Sequence, residues 1–198
     1  MSDDRNQPLI EVEAPAGARF AIVWSRFNHS VVSKLLEGAT ACFSEHGVAA
    51  ESVYVVEVPG AWELPYAAQQ LAQSNKFDAV VALGAIIRGG TPHFDYVSEG
   101  TALGLGRVTL DTGVPVIFGV LTTDDETQAF DRAGGVHGNK GRDAALTAIE
   151  ATKAKPAVAG RAQSSAKAPA SANATIRFLL DLLIVVLALL INRRIVRP

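Results

Sequence analysis

Apolar residues along this chain fall into two alternating patterns. Short unbroken runs rich in β-branched and aromatic residues, Arg19–Trp24 (RFAIVW), Val53–Val58, Asp78–Gly84 (DAVVALG) and Pro115–Val120, read as strands. Between them the spacing becomes helical. Val32, Leu35, Leu36, Ala39, Cys42 and Phe43 recur on one face over Asn28–His46, with Asn28 placed as N-cap and Gly47 as terminator. Further helices are predicted over Leu64–Ser74, from Pro92 to about Asp111, near Asp125–Ala133 and over Asn139–Lys153.

Continuous apolar strands alternating with amphipathic helices indicate parallel βαβ units with right-handed crossovers. The expected fold is α/β: a three-layer sandwich with a four-stranded parallel, flavodoxin-like sheet and helices on both faces. Residues 1–155 make up that domain, 156–175 read as an Ala/Ser/Pro-rich flexible linker, and 176–198 as a hydrophobic C-terminal segment. The apolar run of that segment, Phe178–Ile191, would measure roughly 21 Å as a helix. That falls short of the ~20 residues a bilayer crossing takes, and Asp181 interrupts it. Three readings of it stand: a marginal membrane anchor, an interfacial or self-associating helix, and an extension with no selected role.

Charge and cysteine usage narrow the picture. A net charge of −2, with basic residues scattered through the main body, argues against a protein that coats nucleic acid. The single cysteine, Cys42, excludes an intramolecular disulfide, and its helical phase assigns it to the core. No Cys/His cluster has metal-ligand spacing, and the polar N-terminus, Met1–Pro8, has no secretory apolar stretch. A reduced, cytoplasmic protein without a metal is the expectation.

Ligands of open parallel sheets bind beyond the carboxyl ends of the strands, so the segments leaving the four strands belong together on one rim. They are Ser25–Asn28, Pro59–Glu63, Ala85–His93 and Leu121–Asp124. In Gly89-Gly90-Thr91-Pro92, small residues, an N-cap threonine and a helix-starting proline directly follow a strand. That arrangement is either a small phosphate site of free N–H groups or an ordinary glycine-rich turn. It matches neither a Walker loop nor a dinucleotide fingerprint. His93 falls in the first turn of the next helix, where an imidazole at a pocket edge can exchange protons near neutral pH, although histidines at helix starts are common. Glu63 is either an acceptor for substrate hydroxyls or a solvated charge. Arg132 and Lys140 bracket a glycine-rich loop in a way that suits phosphate or carboxylate binding, but nothing places them on the rim of their own subunit. His29 and His46 read as solvated or capping, and His137 stays open.

Six segments together carry a resemblance: Ser-Arg-Phe-Asn (25–28), Val-Pro-Gly-Ala-Trp-Glu-Leu-Pro (58–65), Ile-Arg-Gly-Gly-Thr-Pro-His-Phe-Asp-Tyr (87–96), Phe-Gly-Val-Leu-Thr-Thr (118–123), Asp-Arg-Ala-Gly (131–134) and Gly-Asn-Lys-Gly (138–141). In order and spacing, from about Ile10 to Lys153, the chain resembles the lumazine synthase family. The resemblance implies condensation of 5-amino-6-ribitylaminouracil with 3,4-dihydroxy-2-butanone 4-phosphate to 6,7-dimethyl-8-ribityllumazine, with no cofactor and no metal. It implies that Phe27 stacks on the pyrimidine, that Ala61, Trp62, Glu63, Phe118 and Lys140 hold the uracil–ribityl part, and that Glu63 takes ribityl hydroxyls. Gly90, Thr91 and Arg132 would bind the phosphate, and His93 would shuttle protons.

The resemblance also implies a homo-oligomer with no nucleic-acid partner: a pentamer, or a closed shell of twelve pentamers. Phe118, Arg132 and Lys140 would come from the neighbouring subunit, and Ile10–Val12 could add a strand to a neighbour's sheet. One departure stands out. Many relatives carry an aromatic or small residue and then Glu after Gly-Asn-Lys-Gly, whereas this chain has Arg142 and Asp143. The shorter carboxylate predicts a looser ion pair to His93 or Lys140. That departure keeps two alternatives in view, a catalytically weak shell-forming scaffold and a flavin- or pteridine-binding module.

Overall fold

The computed structural model describes residues 12–165. Their elements run β1 (Phe20–Ser25), α1 (His29–Glu45), β2 (Val53–Val58), α2 (Leu64–Gln73), β3 (Ala79–Ile87), α3 (His93–Thr112), β4 (Val116–Thr123), α4 (Glu126–Arg132), β5 (Ala133–Gly135), β6 (Gly138–Asn139) and α5 (Lys140–Ser165). Short 3-10 turns occupy Ala50–Ser52 and Ala61–Glu63. The main sheet has four strands in the order β2-β1-β3-β4, all parallel, and β5 and β6 form a small antiparallel hairpin. This is the expected flavodoxin-like α/β sandwich.

Side-chain alternation along the central strands splits the interior into two cores. Phe20 and Ile22 of β1 and Val81 and Leu83 of β3 pack with Leu35, Phe43 and Ile149 from α1 and α5. Ala21 and Val23 of β1 and Val80 and Ala82 of β3 face the other way, onto Leu64, Ala68 and Leu105 from α2 and α3. Both faces of the sheet are therefore covered, which is why β3 is buried at every position from Ala79 to Ile86. Cys42 belongs to the first core, and burial pushes its thiol up against the weaker opposing pull of Arg142. A protonated, enclosed thiol is unreactive.

Helix α1 ends where predicted, with Gly47 at φ 79. Strand β3 runs three residues past the predicted end at Gly84, because Ala85, Ile86 and Ile87 pair with Leu121, Thr122 and Thr123 of an equally extended β4. The glycine-rich loop around Val136 and His137 is the turn of the β5–β6 hairpin. Helix α5 continues beyond Lys153 to Ser165, into the run read as linker. The sheet and the helix segments that cover it fall within the unit Met1–Pro156. Among the described residues no helix is long and apolar enough to cross a membrane. The C-terminal run Phe178–Ile191, and Ile10 and Glu11 of the expected added strand, lie outside the described residues.

Candidate active site

A cleft of about 630 Å³ opens beyond the carboxyl ends of β1, β2 and β3. Three of the four strand-exit segments line it. The fourth does not: Leu121, Thr122 and Thr123 are still within β4, and Asp124 braces a neighbouring loop instead.

The β1 exit is held rigidly. Arg26 N–H donates to Val58 O at 2.8 Å and Phe27 N–H to Pro59 O at 3.0 Å, prolonging the β1–β2 ladder into the rim. Asn28 does not cap α1 through its side chain. It sits at φ 59 in the left-handed region, which asparagine tolerates better than most residues, and its amide donates to Ala85 O at 2.8 Å. The β1 and β3 exits are thereby tied together, and Phe27 presents a ring that is 71% exposed to the cleft.

The β2 exit forms the opposite wall. Pro59-Gly60 ends the strand and Ala61–Glu63 make one 3-10 turn. Gly60 N–H donates to Glu63 Oε2 at 3.0 Å, and buried Thr101 of α3 donates from Oγ1 to Ala61 O at 3.2 Å. Ala61 and Trp62 line the cleft. Glu63 does not, since its carboxylate folds back to support the start of its own turn.

The β3 exit carries the polar edge. Gly89, Thr91 and His93 line the cleft, and Gly90 lies between them in an exposed loop. Thr91 is not the N-cap: α3 begins at His93 with Pro92, already at helical φ, in the cap position. Arg88 fixes the root of this loop. Its N–H donates to Thr123 O at 2.9 Å, and its guanidinium reaches Asp124 and Asp95, each at 3.2 Å, while lying 4.0 Å above the Phe94 ring. The hydrogen bond to Asp124, assisted by Asp95 and opposed by desolvation, raises the Arg88 pKa above its usual range. Phe94, Tyr96 and Val97, which sequence reasoning did not assign, complete an apolar lining with Ile86 and Ile87 of the expected rim. Phe94 and Tyr96 lie inside a quoted motif, so their nearness to His93 was the available signal.

Residues 17–155 match the protein-family profile described as 6,7-dimethyl-8-ribityllumazine synthase. The chain belongs to that family. It is thus a transferase of riboflavin biosynthesis, and the cleft occupies the place where a doubly wound sheet holds its ligand.

Of the residues that the lumazine synthase resemblance singled out, the cleft gathers Phe27, Ala61, Trp62, Thr91 and His93. Phe118, Arg132 and Lys140 do not line the cleft of their own protomer. Phe118 stands mid-strand on edge strand β4, 44% exposed. Arg132 ends α4 and donates to Gln128 O at 3.0 Å. Lys140 opens α5 and pairs with Asp143 at 2.7 Å, so the shorter carboxylate still reaches this lysine. The α5 start is set by Asn139, whose Oδ1 accepts from Gly141 N–H at 2.9 Å and Arg142 N–H at 3.2 Å. Its Nδ2 donates to Lys34 O of α1 at 2.8 Å, a role not read from the sequence.

The histidines outside the cleft have structural surroundings. His29 meets Trp24 edge-on at 5.6 Å, and His46 Nδ1 lies 2.6 Å from Val12 O. His137 is exposed in the β5–β6 hairpin. Among the described residues no group of three or more His, Cys, Asp or Glu is arranged to hold a metal ion.

Proposed function

We propose that this chain condenses 5-amino-6-ribitylaminouracil with 3,4-dihydroxy-2-butanone 4-phosphate to 6,7-dimethyl-8-ribityllumazine. The observation that carries the reading is one cleft with aromatic Phe27 and Trp62 beside Thr91 and His93 at a glycine-rich helix start. Flat apolar surface suits the pyrimidine ring, and the N–H groups near Gly90 and Thr91 suit the phosphate. The pyrimidine amine attacks the butanone carbonyl, and loss of water gives the imine. Loss of phosphate and ring closure with a second loss of water then give the lumazine. His93 moves the protons, Lys140 holds the uracil–ribityl part, and Glu63 takes ribityl hydroxyls on turning from the Gly60 N–H whose hydrogen bond it accepts. Most of the rate comes from holding two reactants together, an effect worth roughly 7–11 kcal/mol.

The working unit in this reading is a homo-oligomer, a pentamer, in which Phe118, Arg132 and Lys140 of one subunit complete the cleft of the next. Its support is the apolar surface left open on the protomer: Tyr54 and Val55 on edge strand β2, Leu103 and Leu110 on α3, and Phe118 on β4. Supplying both substrates and recording the lumazine chromophore tests the reaction. Product formation that is lost on Phe27→Ala supports it. Tight flavin binding without turnover indicates a binding module, and neither result indicates a scaffold.

A further inference from the structure

Trp62 lies against α3 at a position that has no side chain. A Cβ at Gly100 would come within 2.9 Å of Trp62 Cη2 and 3.3 Å of Cε3, with Cζ3 closer still. Contacts that close are not tolerated, so any residue but glycine at 100 must displace something. The backbone of the turn is tethered to α3, because the next residue, Thr101, holds Ala61 O through a buried hydrogen bond of 3.2 Å. Four residues on, Gly104 leaves room for Pro65, whose Cβ and Cγ would lie 2.8 Å from an added Cβ. What can move is the indole itself, 60% exposed and held at its root. It would leave the helix surface and change the wall it forms in the cleft.

We infer that Gly100, backed by Thr101, is a positioning residue for the pyrimidine substrate: its missing side chain seats Trp62 on α3 and sets the shape of the aromatic wall. The helix that provides this seat is also the one that begins at His93. One rigid element therefore fixes both the aromatic wall and the proton-transfer edge relative to each other. Neither Gly100 nor Thr101 lines the cleft, so they act through Trp62 and Ala61 alone. This inference rests on the proposed reaction for its substrate, but the seat itself does not.

The chain has two tryptophans, so Trp24→Phe leaves Trp62 as the sole indole reporter. In that background Gly100→Ala is expected to shift Trp62 emission to the red and to raise KM for 5-amino-6-ribitylaminouracil roughly fivefold to tenfold, with kcat within about twofold. Quenching of Trp62 by added 6,7-dimethyl-8-ribityllumazine should weaken by a similar factor. Alanine favours helix over glycine, so the melting temperature should hold or rise. In a Trp62→Phe chain, with the larger ring gone, the same alanine should add little further change in KM. An equal rise in both backgrounds would place the effect in the helix and overturn the inference, as would unchanged emission and KM with the original Trp62. Should Gly100→Ala not fold, Thr101→Val, which keeps the shape and removes the hydroxyl, must raise KM without lowering kcat. No change there also overturns it. If the unmodified chain makes no lumazine, the proposed reaction fails, while the emission shift still tests the seat.

Discussion

The Lys140 ammonium lies 2.7 Å from Asp143 Oδ2, across one turn at the start of α5. Both groups are about half exposed, 46% and 57%, so water screens the pair. Its worth to stability is of the order of 0.2–1 kcal/mol. Asp143→Asn should therefore move the melting temperature by no more than about 4 °C. Orientation of Lys140 should matter more, and kcat/KM should fall by up to about fivefold with the loss concentrated in KM. Unchanged kinetics would show that Lys140 works without its aspartate.

The joint that carries Lys140 is less forgiving. Asn139 caps α5 with its carbonyl oxygen and reaches back to Lys34 O with its amide, and Gly141 packs so closely on α1 that a Cβ there would sit 2.6 Å from the Leu35 carbonyl carbon. Asn139→Ala removes a helix cap and a tie to the exposed Lys34 carbonyl of α1, a loss of about 1–2 kcal/mol. Thermal unfolding should drop by roughly 2–8 °C. Gly141→Ala should prevent soluble expression, because the obstacle is backbone and cannot swing aside. A stable, soluble Gly141→Ala protein would contradict the close α1–α5 approach.

Arg142, which follows in the same turn, ties α5 to α1 through Glu45 at 2.6 Å. That hydrogen bond, more than any other influence, holds the Glu45 carboxyl below its ordinary range. A depressed acid adds stability above its unfolded pKa, about 4.3, and loses it as pH falls through the lower folded value. The melting-temperature gap between the unmodified chain and Glu45→Gln should accordingly be constant above about pH 5 and close below about pH 4.3. Both partners are well exposed, so the gap should be small and should shrink with added salt. A gap that persists into strong acid would point to packing of the longer side chain instead.

How far the sequence could be read depended on which interactions were local. Strand β2 was legible to the residue, since Val53–Val58 is bounded by a turn before it and Pro59-Gly60 after it. The end of β3 was not, because Gly84 looks like a stop while its neighbours Leu64, Ser25 and Val120 in fact crowd the space a side chain would take. Asn28 holds the N-cap position expected of it, though left-handed and without a side-chain bond to α1, while the cap of α3 falls on Pro92 rather than Thr91, since cap chemistry depends on φ as well as residue type. Phe27, Trp62 and His93 could be located from strand ends alone, whereas Phe94 and Tyr96 lie past the segments that leave the strands. The seat of Trp62 could not: it depends on contact between a turn and a helix some forty residues apart in the chain.

If Arg132 of one subunit serves the cleft of the next, two inactive chains should repair each other. Phe27→Ala lacks a group in the cleft, whereas Arg132→Ala lacks one that lies outside its own cleft. Unfolding and reassembling the two variants together should produce some interfaces that join an intact Phe27 to an intact Arg132. The mixture should then turn over faster than either variant alone. Activity that never exceeds that of the parents would mean that each cleft is completed within its own protomer, and the shared-site reading would be lost.

His93 gives the last test, because the first residue of α3 combines exposure to the cleft with a place beside the glycine loop. General acid–base transfer by one positioned group is worth roughly 10²–10⁴-fold in rate. Holding two substrates in reacting geometry is worth far more, roughly five to eight decades. Since Phe27, Ala61, Trp62 and Thr91 stay in place around the cleft, His93→Ala should lower kcat by about a hundredfold and leave KM for either substrate within severalfold. Water can carry the protons that the imidazole no longer moves. Single-turnover measurements of lumazine formation, paired with binding of 5-amino-6-ribitylaminouracil, separate the two contributions. Intact binding with no detectable turnover would make the imidazole indispensable and reverse the weighting of positioning over proton transfer.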